Sequence, residues 1–342
     1  MDFKLKYVEN SDNVYYTELK THNMEKEKLT PSRAFKKTVN KFNYSYITEA
    51  FIPIKFDEIK GQKNYSSFND KIDDKLNRKI VKGNINIITM FGDKEVNMST
   101  LSNFEDLGLI SDYEKKFNDY LVGLPFTMRF YKDFDLSKIY SETTKAYKDF
   151  TSISDSKNIL GYIPAYSNYS EMEKYFEFYQ KNANKTIIGE SSMNLIPLMI
   201  DFKRSNPDKF IRTISKLYRL KLQYIKEGYY PFYYAMNISK PRLNAGSQLA
   251  KEFLLTFLNF DIIGSSITFI PKNGGGGPSN GIDFNINNYK YSKTGNTGDI
   301  NKIKADIYKK QTEYLNNIYA NNQINNELSK RSEANKYIKS LE

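Results

Sequence analysis

Carboxylates and aromatic hydroxyls are the groups in this sequence that can do chemistry, because the usual reagents are nearly absent. There is no Cys and a single His, His22. Disulfides, thiol nucleophiles and Cys-based zinc sites are thereby excluded, and a serine triad or a His-ligated metal is nearly so. Three acids fall at or just beyond the ends of apolar runs of strand length: Glu190 after TIIG, Asp201 closing LIPLMIDF, and Asp261 within FDII. Tyr166 and Asn237 occupy the same kind of position. In a parallel α/β sheet the strands' C-terminal ends face one pocket, so these five polar groups are candidates for a common site. Carboxylates and polar groups gathered on one rim suit nucleophilic and general acid–base chemistry on a bound small molecule. Each acid also has a plainer reading, as a loop anchor, helix cap or salt-bridge partner.

The elements that must position these groups follow from hydrophobic periodicity. Strands are expected at Tyr46 to Ile54, Ile85 to Phe91, Ile159 to Ala165, Thr186 to Gly189, Leu195 to Phe202, Tyr230 to Ile238 and Phe260 to Ile263. Helices are expected over Leu101 to Leu121, Leu136 to Phe150, Ser170 to Lys181 and Pro207 to Glu227, and from Ser247 through Leu258, where Leu249, Phe253, Leu254 and Phe257 recur at helical spacing. Residues 94–157 read mainly as helices and connections, broken at Pro125. Regular strand and helix alternation predicts an α/β fold, a (β/α)8-type TIM barrel or a doubly wound sheet. The expected organisation is an N-terminal extension over 1–40, a barrel over 41–299, and C-terminal helices over 300–342 packed outside it. The glycine-rich KNGGGGPSNG lacks the spacing of a phosphate-binding loop and reads as a loop.

The chain of 342 residues has a formal net charge of +11, with 28 Tyr and 23 Phe. Basic charge and aromatic faces together suit a nucleic-acid partner, DNA or RNA. AT-rich coding yields the same Lys, Asn, Ile and Tyr excess with no ligand involved. No apolar run approaches a membrane span, and the start carries no signal-peptide core, so no membrane role and a cytoplasmic location are expected.

Two segments resemble the tRNA-guanine transglycosylase superfamily, whose members replace guanine in tRNA by a 7-deazaguanine, with relatives acting on DNA. TEAFIPIKFDEIKG, Thr48 to Gly61, is similar to the family's opening strand T-P-A-F-M-P-V, with Glu49 in place of the proline. LNFDIIGSS, Leu258 to Ser266, is similar to the late strand V-D-x-F-D-x-V-x-P-T-R, with Gly264, Ser265 and Ser266 at the end. YYPFYYAMNIS and GIDFNINNYKY resemble the family's P-R-Y-L-M-G-V and G-x-x-N-I-x-N-A-K-Y.

The resemblance implies a barrel, Asp261 as the nucleophile at C1′, a purine or 7-deazapurine base as the small substrate, and a homodimer as a further expectation. It sets GYIPAY, with Tyr162 and Tyr166, and IIGES, with Gly189 and Glu190, against base-binding strands. Asp93 of MFGD is nearest by position to the base-recognising D-S-G-G-F-Q. On this reading Asp261, Glu190 and Asp201 are catalytic. Tyr162, Tyr166, Gly189, Asn237 and Asp93 bind substrate. The family's zinc ligands are replaced by TGNTGDINKIK, so neither metal nor cofactor is expected. Loss of that motif equally suits an inactive barrel kept as a nucleic-acid-binding or scaffold subunit, and an unrelated (β/α) enzyme is a third reading.

Overall fold

The computed structural model describes residues 2–7, 15–20, 28–29, 32–36, 47–55, 65–81, 84–93, 120–131, 135–153, 159–182, 187–188, 193–203, 207–238, 248–249, 255, 258–265, 282–285 and 290–293. Their elements in chain order begin with β1 (Asp2–Tyr7), β2 (Tyr15–Lys20), β3 (Lys28–Leu29), β4 (Ser32–Arg33), β5 (Phe35–Lys36), β6 (Ile47–Ile54), α1 (Tyr65–Asn77), β7 (Ile85–Gly92) and β8 (Tyr120–Thr127). There follow α2 (Leu136–Ile153), β9 (Ile159–Pro164), α3 (Tyr169–Asn182), β10 (Ile187–Ile188), β11 (Met193–Asp201), α4 (Pro207–Lys226) and β12 (Tyr229–Met236). The last are β13 (Gln248–Leu249), β14 (Ile262–Ile263), β15 (Ile282–Asn285) and β16 (Lys290–Lys293). The expected C-terminal helices over 300–342 lie outside the described residues.

The fold is α/β. Strands β6, β7, β8, β9, β11, β12 and β14 lie side by side in that order, every neighbour pair parallel, with α2, α3 and α4 each leading into the next strand of the series. The sheet curls strongly. Tyr234 of β12 donates a hydrogen bond to Glu49 of β6 although four strands separate them in the sheet. At the sheet's two ends lies one short segment. Ser32 and Arg33 pair with Ile262 and Ile263, the Ala34 amide donates to Ile263 O, and Phe35 and Lys36 pair with Thr48 and Glu49.

Burial follows from side-chain alternation. Gly161 faces α3, where Tyr179 lies against it, so its neighbour Tyr162 faces the concave side. On α3, Met172, Tyr175, Phe176 and Tyr179 are buried at helical spacing, and Asn168 caps the helix reciprocally with Glu171. Asp135 caps α2 through the amide of Lys138. The N-terminal hairpin β1–β2 is continued by β3, and Leu19 of β2 is fully buried.

Three expectations differ from the structure. The helix expected over Leu101 to Leu121 ends instead in strand residues, because YLVGLPFT forms β8. Pro125 is accommodated there by a register shift against β7, where Thr89 pairs with Gly123 and Phe91 with Phe126. Ile187–Ile188 runs antiparallel to the first residues of β11 and is not a strand of the parallel series. Gln248–Leu249, expected to open a helix, pairs with Lys290 and Tyr291.

A methyl group at position 161 would overlap the buried Tyr179 ring, whose hydroxyl donates to Tyr162 O at 2.9 Å. Gly161→Ala is therefore expected to destabilise the chain by about 1–3 kcal/mol. An unchanged urea midpoint would show that the helix and strand separate without cost.

Candidate functional site

Asp201 is the last residue of β11 and is wholly buried on the concave side of the sheet's C-terminal end. Its Oδ2 accepts hydrogen bonds from the Tyr131 hydroxyl at 2.5 Å and the Tyr162 hydroxyl at 2.7 Å. Its Oδ1 accepts from Asn237 Nδ2 at 2.7 Å and from the Lys203 amide at 3.0 Å. Asn237 Nδ2 also reaches Tyr131 Oη at 3.2 Å. Each donor comes from the C-terminal end of a different strand or from the turn after it. Tyr131 closes the short 3-10 turn after β8, Tyr162 lies in β9, Lys203 follows β11, and Asn237 follows β12.

Local conformation serves this convergence. Asn237 holds φ at 61°, a left-handed conformation that Asn tolerates better than most residues, and in it the amide bonds Asp201. The Tyr162 ring packs between Phe126, with centroids 5.6 Å apart and stacked, and Phe130 at 5.8 Å. Tyr162, expected from the resemblance to bind substrate, thus directs its hydroxyl to Asp201 from a ring held between two phenylalanines. Tyr166 is half-buried on the same rim and donates to Phe130 O at 3.2 Å.

Burial pushes the Asp201 carboxyl above its ordinary range, and the hydrogen bonds it accepts from Tyr131, Asn237, Tyr162 and the Lys203 amide oppose that rise. Burial, followed by the charge of Asp201, pushes both the Tyr131 and Tyr162 phenols well above their usual value. Lys203 carries its ammonium 5.2 Å from the Tyr131 ring centroid, and burial lowers its pKa against the pull of Asp201. The group therefore provides a carboxyl whose protonated form burial favours, beside fixed hydroxyl and amide donors.

Asp261 stands apart from that cluster. Its amide donates to Tyr233 O, which sets it level with Tyr233, whereas Asp201 is level with Met236. The two differ by about 10 Å along the strand direction. Asp261 forms a buried ion pair with Lys221 of α4 at 2.8 Å and accepts from the Tyr230 hydroxyl at 2.6 Å, the Tyr233 amide at 2.7 Å and the Thr17 hydroxyl at 3.5 Å. Lys221 donates also to Asn259 O at 2.6 Å and lies 4.3 Å and 4.8 Å from the Tyr230 and Tyr233 ring centroids. This is a saturated anchor joining β2, α4, β12 and the start of β14.

The other candidates divide. Asp93 follows β7 on the C-terminal rim, where its amide donates to Ile54 O and its carbonyl accepts from Thr127. Gly189 and Glu190 lie outside the described residues. The structure thus brings Asp201, Tyr162 and Asn237 into one bonded cluster and keeps Asp261 out of it.

Tyr131 and Lys203 were not singled out in the sequence. Residues 94–157 read in the sequence mainly as helices and connections, with no strand expected there, so Tyr131 does not stand out as a strand-end residue. Among the described residues no group of three or more His, Cys, Asp or Glu is placed to hold a metal, and no helix is long and apolar enough to cross a membrane. No family model and no curated protein matches the chain.

Two outcomes follow. Lys221→Met leaves the Asp261 carboxylate buried without its cation, and a loss of about 3–5 kcal/mol is expected in chemical denaturation, part of it recovered in the Lys221→Met, Asp261→Leu double variant. Because folding raises the Asp201 pKa, its contribution to stability is fully present below the ordinary carboxylate value and is lost as pH rises through the folded value. In stability-against-pH curves Asp201→Asn should remove that downward segment; a curve parallel to wild type would show that Asp201 does not supply it.

Proposed function

We propose that the chain is a base-exchange glycosyltransferase acting on nucleic acid, replacing guanine by a 7-deazaguanine derivative, with its reaction centre around Asp201. The observation that carries this reading is the convergence of Asp201, Tyr131, Tyr162 and Asn237 from four successive strand ends. A buried carboxyl with a raised pKa is suited to exchange a proton with a heterocycle as it leaves or enters. Asn237 supplies the amide for a base edge, and half-buried Tyr166 offers a ring at the rim. In this scheme the sheet is a (β/α)8 barrel closed by Ser32 to Lys36 acting as its eighth strand, since that segment pairs with β14 on one side and β6 on the other. The net charge of +11 supports a polyanionic substrate.

The resemblance to guanine transglycosylases gives Asp261 the attack on C1′. In the folded chain that carboxylate is held by Lys221, Tyr230 and the Tyr233 amide. This favours a second reading, a nucleic-acid-binding barrel without catalysis.

Incorporation of labelled guanine and of a labelled 7-deazaguanine into DNA and RNA separates the two. Wild type is expected to incorporate label, and Asp201→Asn to lower the rate about 10²–10⁴-fold while leaving salt-sensitive nucleic-acid binding in place. Binding that weakens with salt but no incorporation into either polymer would establish the scaffold reading.

A further inference from the structure

Glu49 is the third buried carboxylate of the described sheet and has no role in the scheme above. It lies in β6, is 2% exposed, and replaces the proline of the opening strand that the sequence resembles. Its Oε1 accepts from the Tyr234 hydroxyl at 2.5 Å and the Ser265 amide at 3.0 Å. Its Oε2 accepts from the same amide at 2.9 Å and from the Ser265 hydroxyl. A side chain at position 264 would overlap Oε1, and a Cβ there would also lie 2.7 Å from Tyr234 Cε2, so Gly264 is the residue that admits the carboxylate.

The register places this group at the height of Asp201. Asp201 pairs with Met236, and Ile263 pairs with Ala235, so Gly264 beside Glu49 is the next position across from Met236. Asp201 and the Glu49 carboxylate are therefore in one layer, two strand spacings apart around the sheet, or about 10 Å along the curve. Tyr234 lies between them: it pairs with Met199 two residues before Asp201, on the same face, and its hydroxyl bonds Glu49. Burial, then Glu49, and more weakly Asp201 push the Tyr234 phenol well above its ordinary value, as expected for a ring between two acids.

We infer that Glu49 is the second carboxylate of this site, the anion that faces a glycosyl centre while Asp201 serves the base. The inference rests on the base-exchange reading. As the C1′–N bond breaks, its electron pair goes to the departing base, which takes the proton of Asp201. The positive charge on C1′ and the ring oxygen is offset by Glu49. The incoming base then supplies the electron pair of the new C1′–N bond and returns its proton to Asp201. No oxidant, reductant or metal enters the balance. The Ser265 amide and hydroxyl and the Tyr234 hydroxyl each donate to Glu49, the arrangement that would stabilise its charged form.

The test compares two ribose mimics, one with a protonated ring nitrogen and one with a neutral ring oxygen, by calorimetry on the full chain in the presence of guanine. Wild type should bind the cationic mimic at least about tenfold more tightly. Glu49→Gln should abolish that preference and lower exchange about 10³-fold, while Asp201→Asn should keep the preference. If wild type exchanges bases and Glu49→Gln retains both preference and rate, the role of Glu49 is overturned and base exchange stands. If wild type neither exchanges bases nor binds either mimic, both fall together. Should Glu49→Gln fail to fold, Tyr234→Phe, which removes one donor to the carboxylate, should reduce the preference severalfold, and an unchanged preference there overturns the inference equally.

Discussion

A carboxylate removed from water must be met by donors or by a cation, and this constraint ties the sheet together. Glu49 on β6 accepts hydrogen bonds from groups at the opposite end of the strand order, Tyr234 of β12 and Ser265 after β14. Those bonds exist only if the sheet curls back toward its own beginning. Among the described residues, backbone pairing at the same seam comprises two residue pairs from Ser32–Arg33 to β14, the Ala34 amide to Ile263 O, and two pairs from Phe35–Lys36 to β6. Farther along β6, Lys75 and Lys79 of α1 donate to the carbonyls of Pro53 and Phe51.

The three buried acids are satisfied in three ways, and the difference separates structure from chemistry. Asp261 has a full cation at 2.8 Å, hydroxyl and amide donors, and is tied to α4 both directly through Lys221 and through Tyr233, whose hydroxyl donates to Leu217 O. Removing a partner there costs stability. Asp201 has only neutral donors, two phenols, an amide side chain and a main-chain amide, and its charged form stays disfavoured by burial. Burial therefore acts on the protonation of Asp201 without a cation to offset it, whereas at Asp261 the Lys221 ammonium is in direct contact. Glu49 has neutral donors too, but two of them come from one residue at the sheet's seam. With no Cys and one His in the chain, tyrosine hydroxyls take the polar positions around all three acids.

Much of this was legible in the sequence because the parallel strands are short apolar runs with their polar residues at the C-terminal ends. Asp201 and Asn237 stood out for that reason, and periodicity located Met172, Tyr175, Phe176 and Tyr179 on the buried face of α3. Asp261 stood out by the same rule and was misplaced by it. FDII has strand character, but its acid precedes the paired residues Ile262 and Ile263, at the start of β14 and not past its end. A one-strand pattern does not say which end of the strand an acid occupies when the strand is only two residues long. Glu49 was visible as an acid inside an apolar run, yet its partners Tyr234 and Ser265 lie 185 and 216 residues away in sequence, beyond any periodicity. Lys221 was hidden likewise, as one basic residue on a helix rich in them.

Burial of these acids also bears on what the outside of the molecule presents. The formal charge of +11 counts Asp201, Asp261 and Glu49 as anions, although each is at most 3% exposed. Asp201 is enclosed with neutral donors, while Asp261 is enclosed with Lys221, which cancels it. The field felt by an approaching polyanion is set by charges in water, since those are the ones that counterions screen and phosphates replace. Among the described residues three acids and one base are enclosed, so the formal sum understates the positive charge that these residues leave in water.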